Sequence, residues 1–143
     1  MLDEGFDAGE AARRLRALPD AELADALLNQ RVMAGVGNVF KSEVLFVARL
    51  DPFRTVASLS DEQVRRLISV ARTLLTENVI DASRVGAATW GGYRRTTRRA
   101  DPDARLWVYG RGGKPCRRCG TAIQYRKQGP DARGTYWCPK CQS

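Results

Sequence analysis

The chain has 143 residues, of which 43% are hydrophobic, so it is too apolar for a disordered chain and suits one domain or two small ones. Its longest apolar run, residues 44–48, has five residues, whereas a membrane-spanning helix needs roughly 20, so a spanning helix and the apolar region of a secretory signal are both excluded. The formal net charge is +8, and the absence of histidine excludes histidine-based triads, metal sites and proton relays.

Capping signals and apolar periodicity predict a helical region over residues 1–85. A capping box at residues 7–10 begins a first short helix, and a second helix follows it. A third helix starts after residues 35–38 and is stopped by the Asp-Pro pair at residues 51–52. Another capping box, at residues 60–63, begins a fourth helix. This helix carries a core-facing stripe with the 3.6-residue period: Val64, Leu67, Ile68, Ala71, Leu74, Leu75 and Val79.

The third helix is preceded by Gly-Val-Gly-Asn at residues 35–38. Glycines allow a sharp turn and a close approach of another molecule to the backbone, and the amides at a helix N-terminus suit a phosphate group. Asn38 either caps the helix or donates a hydrogen bond to that phosphate. A plain tight turn between two helices explains the same residues. The motif is not a dinucleotide-binding fingerprint, because no strand precedes it.

The excess positive charge lies in the last third of the chain. Residues 91–143 hold 13 basic and 3 acidic side chains, whereas residues 1–50 hold 6 and 8 and residues 51–90 hold 5 and 5. Such clustering is typical of a nucleic-acid-binding surface, although a solvated basic tail has the same composition. An acidic membrane surface is disfavoured because no amphipathic helix accompanies the charge. Residues 86–105, rich in glycine, threonine and arginine, predict a basic linker that becomes ordered on a polyanion.

Four cysteines form two C-x2-C pairs separated by 18 residues: Cys116, Cys119, Cys138 and Cys141. This spacing is typical of a zinc site, in which each pair turns tightly and directs two thiolates at one ion. Two disulfides in a secreted protein are the alternative, but the chain shows no secretory signal and no further cysteine. With four protein ligands the site is closed, so we expect one structural Zn²⁺ that holds together a unit of about forty residues.

The segment between the cysteine pairs predicts a β-hairpin. Apolar and aromatic residues flank a turn-like stretch at residues 128–131: Ile123, Tyr125, Tyr136 and Trp137. Three cations lie near its tip: Arg126, Lys127 and Arg133. The predicted fold is therefore mostly α, with a helical domain over residues 1–85, a linker over residues 86–105 and a small β-hairpin zinc finger over residues 106–143.

Residues 27–43 read Leu-Leu-Asn-Gln-Arg-Val-Met-Ala-Gly-Val-Gly-Asn-Val-Phe-Lys-Ser-Glu. This stretch resembles the helix–two-turns–helix segment of the formamidopyrimidine-DNA glycosylase / endonuclease VIII (Fpg/Nei) family. Residues 107–111, Trp-Val-Tyr-Gly-Arg, and the final Cys141 and Gln142 resemble the zinc finger of that family. The similarity runs from residue 6 to residue 142, and the two motifs occur in the order that the family has.

The resemblance implies a DNA repair enzyme that excises oxidised bases and then cuts the backbone at the abasic site. It implies that the duplex lies between an N-terminal β-sandwich and a C-terminal half of helices and zinc finger. It further implies that Asn38 contacts a phosphate and that Arg31 lies near the same backbone, and we count Gly37 among the DNA-binding residues of this turn. Tyr109 would contact the backbone, and Arg133 would enter the DNA and hold phosphates around a flipped nucleotide. Such contacts position a duplex and hold it in its deformed state.

The chain departs from the family at the catalytic centre. The family's nucleophile is an N-terminal proline beside a glutamate, but Leu2 stands where that proline would be. We therefore assign no catalytic residue and expect the DNA-binding C-terminal half of such a glycosylase, inactive by itself, either as an excised domain or as a naturally short protein. Its expected partners are damaged or abasic double-stranded DNA and an N-terminal catalytic half. We expect a cytoplasmic, nucleoid-associated protein that is not secreted.

Two other functions stay open. A zinc-ribbon adaptor in transcription or translation, which contacts RNA or protein, has the same four cysteines and basic third, although the helix–two-turns–helix segment argues against it. The other is a subunit that pairs with a separately encoded catalytic half. In that case we expect an apolar surface around Phe6, Phe46 and Phe53.

Overall fold

The structure is a computed structural model that describes residues 8–29, 37–85, 106–129 and 132–143, without the side chains of residues 78–85. In chain order the described elements are α1 Ala8–Arg16, α2 Leu23–Leu28, α3 Asn38–Ala48, a short 3-10 helix Val56–Ser58, α4 Asp61–Val85, β1 Gln124–Gln128 and β2 Arg133–Trp137. The predicted fold class, mostly helical with a small β-hairpin, is confirmed. The predicted linker at residues 86–105 lies outside the described residues.

Helix α4 begins at the capping box that the sequence predicts. The Gln63 N–H donates to the Ser60 hydroxyl (3.1 Å), and the Ser60 N–H donates to the side-chain oxygen of Gln63 (2.9 Å). The stripe of α4 then joins the helical core, where its residues are at most 5% exposed: Val64, Leu67, Ile68, Ala71, Leu74 and Leu75. Although α4 has 25 residues, neither it nor any other described helix is apolar enough over a sufficient length to cross a membrane.

Helix α3 is buried on almost every side because two apolar cores meet on it. Val44 and Leu45 belong to the helical core, which α3 shares with α1, α2 and α4. Phe46 instead points into a second, smaller core in the zinc finger, together with Val108 and Ile123. Fully burying a side chain such as Phe46 contributes about 1.5–3 kcal/mol, so α3 is the element that attaches the zinc finger to the helices.

The predicted β-hairpin is present, with β1 and β2 antiparallel and paired from Gln124 opposite Trp137 to Gln128 opposite Arg133. The C-terminal end of the chain returns to the end of α3. There the Gln142 side chain donates to the Leu50 carbonyl (2.9 Å). The zinc finger is therefore fastened to α3 by hydrogen bonds as well as by the second core.

Candidate nucleic-acid interface and zinc centre

The four cysteine thiols converge within the zinc finger, where the Sγ atoms of Cys116, Cys119, Cys138 and Cys141 all lie within 4.8 Å of one another. The Cys116–Cys141 and Cys119–Cys138 sulfur separations are 3.9 and 3.5 Å. A tetrahedral Zn²⁺ with bonds of about 2.3 Å places its sulfurs about 3.8 Å apart, so the donor set fits zinc. Gly120, which follows the first pair, has a left-handed φ of 79° that favours glycine. Four protein sulfurs leave no position for water, and the predicted structural zinc site is confirmed.

The acidities of the thiols explain why this cluster needs a cation. Burial, reinforced by the neighbouring sulfurs, raises the pKa of Cys141 to about 12, and burial also raises the pKa of Cys138. Hydrogen bonds from Thr121 instead lower the pKa of Cys119 to about 6. Zinc binds thiolates, so the bound ion supplies the positive charge that lets all the thiols ionise and holds the two pairs together.

A buried carboxylate on α3 holds the segment that leads into the zinc finger. Glu43 is fully buried and accepts hydrogen bonds from three consecutive backbone N–H groups, those of Trp107 (2.6 Å), Val108 (2.8 Å) and Tyr109 (3.0 Å). Hydrogen bonds to an ionised acceptor are roughly twice as strong as neutral ones. The ring of Tyr109 also lies edge-on against Tyr136 of β2, with centroids 5.1 Å apart. Tyr109 is therefore fixed between α3 and the hairpin.

A buried lysine on the same helix joins α3 to β2. Lys41 is 1% exposed. Its ammonium donates three hydrogen bonds, to Oδ1 of Asn38 (2.8 Å), to the carbonyl of Gly134 (2.9 Å) and to Oγ1 of Thr135 (2.9 Å). Burial lowers the pKa of Lys41 to about 8, an effect that Asp25 opposes and Arg133 reinforces. One ammonium thus connects the first turn of α3 to a strand 93 residues away in the sequence.

Of the predicted phosphate-binding residues, Asn38 contacts Lys41 directly and Arg133 precedes the Gly134 that Lys41 binds, whereas Tyr109 lies beside Glu43 and Tyr136. Asn38 is the first residue of α3 and Arg133 is the first residue of β2. Gly37 precedes α3 with an extended backbone (φ −95°), and an added Cβ would meet no atom of the described residues within 4 Å. Gly37 is itself exposed, so its backbone is accessible. Arg31 lies outside the described residues.

Sequence reasoning did not identify Lys41 and Glu43 as important. Both lie in α3, where every residue from Phe40 to Phe46 is buried. A helix that is apolar on several sides is typically buried, and charged side chains within it must find partners. The presence of two charged residues in so apolar a helix could have indicated that both are buried with partners. Those partners lie too far along the chain to be identified from the local sequence pattern.

The apolar surface expected around Phe6, Phe46 and Phe53 is wrong for Phe46. Phe46 is fully buried and stacks on Trp107, with ring centroids 5.3 Å apart. Phe53 packs edge-on against Trp137 at 4.8 Å, and Phe6 lies outside the described residues. Phe46 and Phe53 therefore pack against residues of the same chain, where they attach the zinc finger to the helical region.

Two protein-family models match the chain. The first, described as the formamidopyrimidine-DNA glycosylase H2TH domain, matches residues 1–88. The second, described as the zinc finger found in FPG and IleRS, matches residues 113–143. The two matched regions contain α3 and the four cysteines respectively.

Curated relatives match along the entire chain. The chain is 45% identical over 143 residues to the DNA-(apurinic or apyrimidinic site) lyase Nei2 of Mycolicibacterium smegmatis, covering 100% of the chain and 51% of the relative. It is 42% identical over 142 residues to Endonuclease 8 2 of Mycobacterium tuberculosis, covering 99% of the chain and 50% of the relative. The chain therefore spans about half the length of the curated relatives it matches.

Solved structures have the same fold over a similar share of their length. The crystal structure of MutM (FPG) from Thermus thermophilus matches with a TM-score of 0.76 and 36% identity, over 99% of this chain and 52% of that one. The complex between Lactococcus lactis Fpg and DNA containing an abasic site matches with a TM-score of 0.75 and 30% identity, over 96% and 48%.

Proposed function

Because the chain belongs to the formamidopyrimidine-DNA glycosylase family, we propose that it binds damaged or abasic duplex DNA through the phosphate backbone. It would be the C-terminal, DNA-binding half of a base-excision-repair glycosylase and AP lyase that acts on nucleoid DNA in the cytoplasm. The observation that carries this proposal is the junction at Lys41. Its ammonium donates hydrogen bonds both to Asn38 and to Gly134, the residue after Arg133. A related Fpg of Lactococcus lactis has been solved with abasic-site DNA, which supports the same class of ligand.

The proposed contacts combine backbone amides with side chains. Asn38 lies at the N-terminus of α3, where unpaired amides and the helix dipole favour a phosphate. The exposed backbone of Gly37 supports the approach of a phosphate at this position. Tyr109 and Arg133 would bind neighbouring phosphates, and Arg31 would extend the contact along the same strand.

The zinc finger supplies most of the positive charge for binding. Arg126 and Lys127 on β1 and Arg133 on β2 are all exposed. The guanidinium of Arg126 lies 4.8 Å from the centroid of the Phe53 ring, which limits the conformations of that cation. The near-neutral helical region would therefore position the phosphate contacts, while the zinc finger contributes the positive charge that attracts a polyanion.

We assign base excision to the other half of the longer relatives, the half to which this chain does not align. The curated relatives are about twice as long as the matched region, and no residue here is assigned as the nucleophile. We therefore expect binding to abasic-site DNA without covalent reaction. Incubating the zinc-loaded chain with abasic duplex and borohydride should trap no adduct, and a trapped imine would contradict this part of the proposal.

The binding proposal is tested by fluorescence anisotropy with an abasic-analogue duplex across a series of salt concentrations. Arg133→Ala should weaken binding and reduce the log–log salt slope by roughly 0.9, because one cation–phosphate contact is lost. Asn38→Ala should weaken binding with little change of slope, because the amide is uncharged. Arg13→Ala removes the same charge from an exposed position on α1, where Arg13 pairs with Glu10, and should leave the slope nearly unchanged.

The alternative zinc-ribbon function is tested in the same assay by competition with structured RNA. The matched family of zinc fingers is described as found in FPG and IleRS, and this match does not by itself indicate whether the zinc finger binds DNA or RNA. If the duplex competes far better than the RNA, the adaptor function is excluded. If the RNA competes better, or if Arg133→Ala and Asn38→Ala bind the duplex like the wild type, the proposed DNA contacts are wrong.

A further inference from the structure

The Lys41 ammonium has its whole hydrogen-bonding capacity occupied inside the protein. An ammonium has three donors and no acceptor. The three acceptors are Oδ1 of Asn38 at 2.8 Å, the Gly134 carbonyl at 2.9 Å and Oγ1 of Thr135 at 2.9 Å. Because Lys41 is 1% exposed and its donors are all used within the chain, it does not act as a direct phosphate ligand.

The contact with Lys41 fixes the orientation of the Asn38 side chain. Because the ammonium can only donate, the carboxamide atom that faces it must be the oxygen, and the amide nitrogen must point the other way. Among the described residues, none accepts a hydrogen bond from that nitrogen. Asn38 is half-buried and follows Gly37, which is exposed. The Asn38 amide is therefore a donor held in one direction beside an accessible helix N-terminus.

The same ammonium is the end of a buried polar chain that runs through the hairpin. The Thr135 hydroxyl donates to Oε1 of Gln128 (2.7 Å), and the Gln128 amide donates to the Pro52 carbonyl (3.0 Å). Lys41, Thr135 and Gln128 are all at most 6% exposed. The chain joins β1 and β2 to the loop that follows α3, so displacement of the hairpin would break several buried hydrogen bonds at once.

We propose that Lys41 is a positioning residue for phosphate binding, which presents the Asn38 amide outward and at the same time holds the start of β2 beside it. This role rests on the proposed function, because it concerns the same phosphate contacts. The Gly134 carbonyl that Lys41 binds belongs to the residue directly after Arg133. Lys41 therefore sets the distance between two phosphate ligands that come from the helical region and from the zinc finger.

A purely structural role is a poorer explanation of a lysine at this position. A buried cation loses its hydration, and a well-packed apolar side chain of similar volume is often as stable or more stable in its place. Among the described residues, the charges that act on the pKa of this ammonium are Asp25 from α2, which raises it, and Arg133 from β2, which lowers it. With one acidic and one basic neighbour, the site keeps a net positive charge that a phosphate on the outer side of Asn38 would offset.

The test is a double-mutant cycle between Lys41 and Asn38, measured with the full zinc-loaded chain and an abasic-analogue duplex. Asn38→Ala should weaken binding roughly tenfold in the wild-type background, because a hydrogen bond to a charged group is lost. In the Lys41→Met background the same change should weaken binding less than about twofold, because the amide is no longer directed. Lys114→Met removes an equal charge from an exposed position and should leave the tenfold effect intact.

Each outcome separates the positioning role from the function. If the wild-type chain does not bind the duplex, the proposed function fails and the positioning role fails with it. If the wild type binds and the tenfold effect persists in Lys41→Met, only the positioning role is overturned. Should Lys41→Met not fold, judged by zinc content and circular dichroism, NMR relaxation of the Asn38 amide in the wild type decides. An amide as rigid as the α3 backbone supports the role, and one as mobile as an exposed side chain overturns it.

Discussion

Replacing Glu43 by glutamine should destabilise the junction between α3 and the zinc finger. One carboxylate oxygen accepts from Val108 and Tyr109 (2.8 and 3.0 Å), and the other accepts from Trp107 (2.6 Å). Glutamine can keep one oxygen for two of these N–H groups, but its amide nitrogen then faces the third, the half-buried N–H of Trp107, which loses this acceptor. That loss costs about 1–3 kcal/mol, and the two remaining bonds lose their charge assistance. We expect a total loss of about 3 kcal/mol in the free energy of unfolding.

The measurement is urea unfolding of the zinc-loaded chain, followed by circular dichroism for the helices and by tryptophan fluorescence for the zinc finger, which holds Trp107 and Trp137, two of the three tryptophans. Because Glu43 binds the segment around Trp107, the fluorescence transition should move more than the helical one. Glu62→Gln is the matched control, since Glu62 is exposed in the first turn of α4 and should cost less than about 1 kcal/mol. If Glu43→Gln unfolds within about 0.5 kcal/mol of the wild type, the three hydrogen bonds do not hold the zinc finger to α3.

Three further outcomes are expected. Cys138→Ser, or removal of zinc by a chelator, should unfold the hairpin and abolish DNA binding while most of the helical circular dichroism remains; retention of binding would contradict a structural zinc. Ser60→Ala should lower the free energy of unfolding by about 1 kcal/mol, because the Gln63 N–H loses its acceptor; an unchanged midpoint in thermal unfolding would show that the capping box contributes nothing. Burial lowers the pKa of Lys41 from 10.5 to about 8, so between these pH values the unfolded lysine keeps a proton that the folded one has released. The stability of the wild type relative to Lys41→Met should therefore rise with pH over that range, and a flat or falling difference would contradict the burial of the ammonium.

The zinc site and the helix starts were predictable because their determinants are local. Two C-x2-C pairs define the ligand set whatever the rest of the chain does, and Gly120 can supply the turn within the knuckle. The capping box of Ser60 and Gln63 forms between residues three apart. The hairpin likewise follows from a turn-rich stretch between two short aromatic segments.

The roles of Lys41, Glu43 and Phe46 could not be predicted in the same way. By sequence, two of them are ordinary polar positions of a helix, and the third is an apolar residue that was expected on an outer surface. Each is buried by partners from the zinc finger, which lie more than sixty positions further along the chain. The periodicity of apolar residues predicts which face of a helix is buried, but it does not predict which part of the protein packs against that face.

The metal, the order of the elements, the basic zinc finger and, through two motifs, the family all follow from residue patterns along the chain. The packing of distant segments shows in addition that the zinc finger is held on α3 by two buried charges, and that Lys41 binds both Asn38 and Gly134, the residue after Arg133. The physical reason is that a charged side chain is stable inside a protein only where donors or acceptors from elsewhere in the fold replace its water. For Lys41 and Glu43, those groups are assembled by the docking of the zinc finger, and no shorter stretch of the chain contains them.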